Sequence, residues 1–488
     1  MNAVGAFVQD SISLGSKVKL DVGLRYDYLP SPTEGDDKLV AFDPSTSSLA
    51  RIGSNGFTQV TKNGSDFQPR VGIVWTPTSD GKLAVRGAYA VMVNQSNTGY
   101  FVGEANNPPL VTPLSAQAAG TAASNIRLNS ALTGAGAVAL APSFTDPNFL
   151  PGRLQTWNVN IEREIGGTGV MVGYFGSHGD RQRIPINLNQ FTTPGGIVRP
   201  FPSLSASSPI LPGAALGNIT EQTSLGWSNY KGLWMTANRR MTKGLQLSGS
   251  YTLSKSSDTN SYDGTLTAQD NTNLAGSYGA SDFDVRHRVA VNASYDLPFH
   301  GNRFKDGWQV VVVEQVQTGN PLNIITGIST ITGTNNIVRP DLIGALPTIT
   351  PTPNVDPATG AVTSYQWFAS NTVCDPRIAG SCTSSSVFAL PYNAAGVAHF
   401  GNMPRNVIYG PGFGDMDLSL IKNITLQGSA RVQLRLEAFN LFNQANLGQP
   451  GRTAGVGSTS FGVISNTRFP TGDSGSARQV QFAAKFMF

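Results

Sequence analysis

The sequence predicts an all-β chain: an antiparallel transmembrane β-barrel segment of about thirteen strands, with short periplasmic turns and long extracellular loops. Three observations carry this expectation. Apolar residues recur at every second position through much of the chain, the period that sends alternate side chains to opposite faces of a strand. Charged residues make up 13% of the 488 residues, about half the share usual in globular domains, while 54 glycines and 30 prolines suit turns and break helices. The connections between alternating segments are sorted by length, one short and the next long.

Taken in order, strands are expected near 3–13, 17–28, 68–77, 82–94, 154–165, 168–177, 228–240, 244–255, 286–298, 308–326, 414–425, 430–443 and 477–488. In KVKLDVGLRYDY, Val18, Leu20, Val22, Leu24 and Tyr26 alternate with Lys17, Lys19, Asp21, Gly23 and Arg25. LQLSGSYTLS places Leu245, Leu247, Tyr251 and Leu253 on one parity, and RVQLRLEAF sets Val432, Leu434 and Leu436 against Arg431, Gln433, Arg435 and Glu437. The last strand, RQVQFAAKFMF, carries Val480, Phe482, Phe486 and the terminal Phe488 on a single face. WQVVVVEQVQ departs from the rule, because Glu314 shares the parity of Val316. Either Glu314 lies near a rim or a bulge shifts the register.

The tight connections fall at 14–16, 78–81, 166–167, 241–243, 299–307 and 426–429, and the long ones at 29–67, 95–153, 178–227, 256–285, 327–413 and 444–476. A soluble sandwich has no reason to sort its loops by parity. A membrane barrel does, because its two ends face different compartments. Arg25, Asp27, Arg435 and Glu437 then face a wet interior and escape the penalty of a dry core. The final strand descends to the periplasm and leaves Phe488 at the interfacial aromatic girdle.

No run approaches the roughly twenty apolar residues of a transmembrane helix. The start, MNAVGAFVQDSIS, lacks the pattern of a secretory signal. The net charge of +4 includes no basic run dense enough for nucleic acid. An odd strand count leaves an open edge, so the chain is expected to be the C-terminal part of something longer. Cys374 and Cys382 flank DPRIAGS, a spacing that can close a small loop disulfide in an oxidising compartment, with free thiols as the alternative.

Particular words then carry a resemblance. SNYKGLWMTANRRMTKGLQLSGSYTLSKSSD, FDVRHRVAVNASYDLPF, GWQVVVVEQVQTGNPL, FGNMPRNVIYGPGFGDMDLSLIKN, VQLRLEAFNLFNQANLG and FGVISNTRFP, in this order, resemble the barrel of TonB-dependent outer-membrane transporters and receptors. VMVGYFGSHGD adds to the likeness, which is nearest to the Oar-like subgroup. The resemblance implies a barrel of about 22 strands in the Gram-negative outer membrane, filled by an N-terminal plug and driven through a motif that contacts TonB. Residues 1–488 would be its C-terminal portion, with plug and signal peptide absent, so that TonB is reached only through a missing N-terminal region. It also implies that Phe482, Phe486 and Phe488 form the recognition signal for the barrel assembly machinery. The expected partners are outer-membrane lipid, that machinery and an unidentified extracellular ligand, an oligosaccharide or peptide. No cofactor and no catalytic residue are expected. The competing readings are a structural or adhesive outer-membrane protein, a truncated remnant, and a soluble secreted β-protein whose apolar faces a second sheet would cover.

Other motifs weigh less. Gly472, Asp473, Ser474 and Gly475, with His399 upstream, resemble a serine-protease turn but lack the rest of its frame. Asp258, Asn260, Asp263 and Asp270 approach a calcium-loop spacing, with the glycine misplaced and no closing glutamate. His178, His287, His300 and His399 lie in separate segments. GAGAVAL at 134–140 follows no strand, so it is no phosphate loop. The loop aromatics Tyr100, Phe101, Tyr262, Tyr278, Tyr365 and Trp367 are candidates for ligand contact.

Overall fold

Thirteen strands, each hydrogen-bonded to the next in chain order, form one antiparallel meander. They are β1 (Val4–Leu14), β2 (Val18–Tyr28), β3 (Phe67–Trp75), β4 (Leu83–Val93), β5 (Arg153–Ile165), β6 (Thr168–Asn187), β7 (Thr220–Thr242), β8 (Leu245–Asp258), β9 (His287–Asp296), β10 (Trp308–Gln317), β11 (Phe413–Thr425), β12 (Arg431–Phe439) and β13 (Gln479–Met487). The computed structural model describes residues 4–28, 36, 38–52, 66–94, 102–112, 114–115, 136–191, 198–262, 268–328, 337–369, 372–426, 430–468 and 477–488. Among them, β1 and β13 are the two edges of the sheet and do not pair with each other.

The register explains why alternation was visible in the sequence. One row across the sheet reads Leu14, Val18, Trp75, Val85, Ile161, Val172, Met235, Tyr251, Val289 and Val316, apolar or aromatic at every step. The row on the opposite face reads Ser13, Lys19, Val74, Arg86, Asn160, Gly173, Trp234, Thr252, Arg288 and Gln317, and is mostly polar. Both rows leave β1 at its turn end and reach β10 at its loop end. That steady stagger is the strand tilt a closing barrel needs. No second sheet covers the apolar rows among the described residues, and Val159, Ile161, Ile165 and Phe482 stand exposed. A soluble β-protein would have buried them.

The turns lie at one end of the sheet. Between β5 and β6 the two-residue turn is Gly166–Gly167, with φ of 56° and 77°. Both values lie in the left-handed region that a two-residue hairpin turn requires and that glycine enters freely.

Three expectations need correction. The strands expected at 168–177 and 228–240 are β6 and β7, which run on to Asn187 and begin at Thr220, with register shifts between Gly179 and Ile184. The strand expected at 308–326 ends at Gln317, because Leu322, Ile324 and Ile325 turn into a packed loop core. The strand expected at 430–443 ends at Phe439, and Asn440 and Asn443 take positive φ. At Glu314 no bulge exists. Both neighbouring registers run unbroken and set Glu314 opposite Val291 and Met416, three residues from the outer end of β10. Glu314 is the rim case.

The most buried side chains belong to the loops. Phe42, Phe144, Phe149, Phe368, Phe388 and Phe461 are all fully buried, and burial of each such ring is worth roughly 1.5–3 kcal/mol. The described parts of the long connections thus form a folded headpiece.

Candidate functional site

The headpiece has two apolar cores joined by a polar seam. The first core takes Val40, Phe42 and Leu49 from the β2–β3 connection, Leu140 and Phe144 from β4–β5, and Leu204, Leu216 and Ile219 from β6–β7. Phe42 packs 6.0 Å from Phe144 and 5.3 Å from Phe201, ring to ring. Asn107 ties two connections together: its Nδ2 donates to the carbonyls of Val40 (2.6 Å) and Ser143 (2.7 Å), and its Oδ1 accepts from the Ser143 N–H. The segment Ser143–Thr145 also adds a short parallel strand beside the outer end of β7. The second core takes Leu322, Ile324, Phe368, Val373, Phe388, Met403 and Ile408 from β10–β11 and Ala454 and Phe461 from β12–β13. Phe461 sits between Phe368 and Phe388, edge-on to both at 5.1 and 5.6 Å.

The seam is the β8–β9 connection. Gln190 donates to the Gln269 carbonyl, and Gln269 in turn donates to the Gly401 carbonyl, each at 2.8 Å, so one glutamine joins the two halves. Arg339 is buried and donates through Nε to the Met403 carbonyl and through Nη2 to the Gly276 carbonyl. Burial, with the Arg405 charge nearby, pulls its guanidinium down to about 10. Arg405 is buried with Asp258 and reaches its Oδ1 at 2.7 Å, and it also reaches Asp282 at 3.0 Å and Ser261 Oγ at 2.6 Å. A buried cation costs little only when fully paired in this way.

Below the headpiece, the polar face carries ion pairs along the first strands. Arg25 pairs with Asp27 at 2.8 Å, Arg86 with Glu162 at 3.3 Å and Lys82 with Glu164 at 3.3 Å. The apolar face ends in aromatics and a cation at the turn side: Lys422 lies over the Trp308 ring at 5.1 Å and donates to the Phe304 carbonyl at 3.0 Å. Residues 1–481 match the family described as Outer membrane beta barrel domain. The chain belongs to that family.

The outer-membrane barrel chain therefore turns its apolar rows to lipid and its polar rows inward, in the Gram-negative outer membrane. Its fold is similar to that of solved transporters. The FrpB iron transporter from Neisseria meningitidis (F3-3 variant) is 12% identical over 99% of this chain and 44% of its own, with a TM-score of 0.44. The outer membrane transporter YddB from Escherichia coli is 10% identical over 99% of this chain and 45% of its own, with a TM-score of 0.48. The siderophore receptor PiuA from Acinetobacter baumannii is 12% identical over 91% of this chain and 39% of its own, with a TM-score of 0.42. The chain spans less than half the length of these structures. No curated protein sequence matches it.

On this outer-membrane chain the aromatics of the last strand lie on the lipid face. Phe482 is 80% and Phe488 95% exposed, and the rings of Phe486 and Phe488 are 5.8 Å apart. Cys374 and Cys382 are joined in a disulfide. A ring this small is worth roughly 2–3 kcal/mol by chain entropy, so a non-reducing digest should yield one linked peptide that separates on reduction. Two unlinked thiol peptides would overturn it.

Asp258 is committed to Arg405 and Ser261, and Asp270 accepts from the Thr272 N–H and hydroxyl, while Asp263 lies outside the described residues. Among the described residues, no three His, Cys, Asp or Glu side chains are grouped to hold a metal ion. His399 Nε2 meets Asp341 at 2.6 Å, but 472–475 lie outside the described residues. Of GAGAVAL, Gly136 and Ala137 form a short strand with Leu114 and Ser115. Tyr262 is exposed, and Tyr278 stacks on Trp227 at 5.9 Å. Trp367 donates through Nε1 to the Tyr409 carbonyl, Tyr365 lies half-buried in a loop sheet, and Tyr100 and Phe101 lie outside the described residues. Sequence reasoning missed Arg405, Arg339 and Gln269. Their partners stand as far as 147 residues away, beyond the reach of any local pattern.

Glu221, at the outer end of β7 and well beyond the bilayer, is pushed up to about 7 by burial and by the charge of Asp146. Its folded form keeps a proton that the unfolded chain has lost above pH ~4.3. The contribution of Glu221 to stability should therefore be greatest below that value, fall as pH rises to about 7 by an amount on the order of a few kcal/mol, then level off. Glu221→Gln should flatten the slope in urea unfolding of the headpiece between pH 5 and 8; an unchanged slope would exclude Glu221 as its source.

Proposed function

We propose that the chain is a binding and passage unit: the C-terminal portion, residues 1–488, of a TonB-dependent receptor barrel of the Oar-like type, taking up a large ligand such as an oligosaccharide or peptide. The observation that carries this reading is the folded headpiece at the loop end of the barrel wall. Loops held by two buried cores present a preorganised surface, which lowers the ordering cost of capture. Capture at that surface, followed by plug rearrangement driven from the inner membrane, is the mechanism. The plug and the TonB-contacting motif would come from outside these residues.

The direction of the two edge strands supports the assignment as a portion. Twelve antiparallel steps (13 − 1) separate β1 from β13, so both run the same way. An antiparallel barrel then closes only when an odd number of strands fills the gap. A second copy would enter with its own β1 and meet β13 in parallel. About 22 strands less thirteen leaves about nine, an odd number.

Reading the genomic DNA upstream of the Met1 codon tests the proposal. An in-frame extension encoding a plug and about nine strands is the expected result. A stop codon there, with no plug gene beside it, would move the assignment to a structural or adhesive protein or a gene remnant.

A further inference from the structure

We infer that the inner wall of β6–β8 holds a binding site for a neutral saccharide, built on the paired rings of Phe175 and Trp234. Alternation puts both rings on the polar, inward face: Trp234 stands opposite Gly173 and Thr252, and Phe175 opposite Asn158 and Gly232. The two rings are nearly parallel, at 11°, with centroids 5.6 Å apart, and Tyr230 adds a third ring 5.8 Å from Phe175. Glycine makes this arrangement fit. A Cβ at Gly232 would lie 2.7 Å from the Tyr230 hydroxyl. Trp234 remains 38% exposed on the inward side of the wall.

The surroundings select the ligand. The row through Trp234 reads Arg86, Asn160, Gly173, Trp234, Thr252 and Arg288. Between the two arginines only amide, hydroxyl, glycine and indole are present. The next row offers Asn158 and Ser254 beside Phe175 and Gly232. Aromatic faces beside neutral donors and acceptors match a pyranose, whose C–H face packs on a ring while its hydroxyls need uncharged partners. An ionic peptide would find no counter-charge within that window.

The site narrows the ligand class of the receptor reading and rests on it for its biological meaning. The test keeps the two apart, because it measures binding, without energy coupling, to the protein purified in detergent from outer membranes with whatever strands complete its barrel. A panel of neutral hexasaccharides, α-1,4- and β-1,4-linked glucans, a β-1,4-xylan and a β-1,4-mannan, is titrated by calorimetry. At least one should bind. Trp234→Ala should then weaken it about tenfold or more, Trp234→Phe should retain most of the affinity, and Trp157→Ala, on the lipid face, should change nothing. Should Trp234→Ala fail to fold, the wild-type chain is oxidised with N-bromosuccinimide and mapped by mass spectrometry. Bound saccharide should protect Trp234 and leave Trp157 unchanged. Binding by no member of the panel, binding indifferent to position 234, or protection only at the loop residue Trp367 would each overturn the site while leaving the receptor reading intact.

Discussion

Arg405→Ala should destabilise the headpiece by about 3–5 kcal/mol, the cost of leaving a buried carboxylate without its partner. Asp258 is buried, and Arg405 Nη1 donates to its Oδ1 and also to its backbone carbonyl. The second guanidinium nitrogen holds Ser261 and Asp282, so one truncation strips partners from three groups. The damage should stay above the bilayer. Hydrogen exchange should accelerate in 256–262 and 276–284, while β9 and β10 remain protected. Pairing the change with Asp258→Asn should recover part of the loss, because a neutral amide tolerates burial better than an orphaned charge. An Arg405→Ala chain as resistant to urea as the parent would mean that the seam is solvated and that the headpiece is held by its apolar cores alone.

Removing Phe488 together with Phe486→Ala should deplete most of the folded chain from the outer-membrane fraction. The rings carry little of the internal packing, since Phe486 is 58% and Phe488 95% exposed. Their contribution to the stability of the sheet is therefore small, and a large loss would report on recognition during assembly. The control is Tyr295→Ala on an otherwise intact terminus, which removes a lipid-facing ring at the turn end of β9, outside the terminal signal. Equal losses from both would point to lipid anchoring, and an undiminished level in the truncated chain would sink the assembly-signal proposal.

The barrel wall was legible in the sequence because lipid on one side and water on the other impose a period of two. Where both sides are wet the signal vanishes. The expected strand at 168–177 stopped where HGDRQR begins, since above the bilayer neither face of β6 needs to be apolar. The opposite error came at 318–326, where apolar residues continue but serve a loop core. Phe42, Phe144 and Phe388 carry no local signal for a related reason: each lies in a connection without periodicity, and each finds its partners only through distant segments. Asp258 stood out as an oxygen donor, yet its true partner, Arg405, could be found only in three dimensions.

β6 and β7 run for 20 and 23 residues, where about ten suffice to cross a bilayer. The remainder rises roughly 30 Å along the strand before tilt is counted, carrying the first core of the headpiece against its outer part. This hairpin is a mast. On an intact cell an antibody would meet the outer part of this hairpin before anything at lipid level, so the strands that cross the membrane also hold up part of what the cell shows to its surroundings.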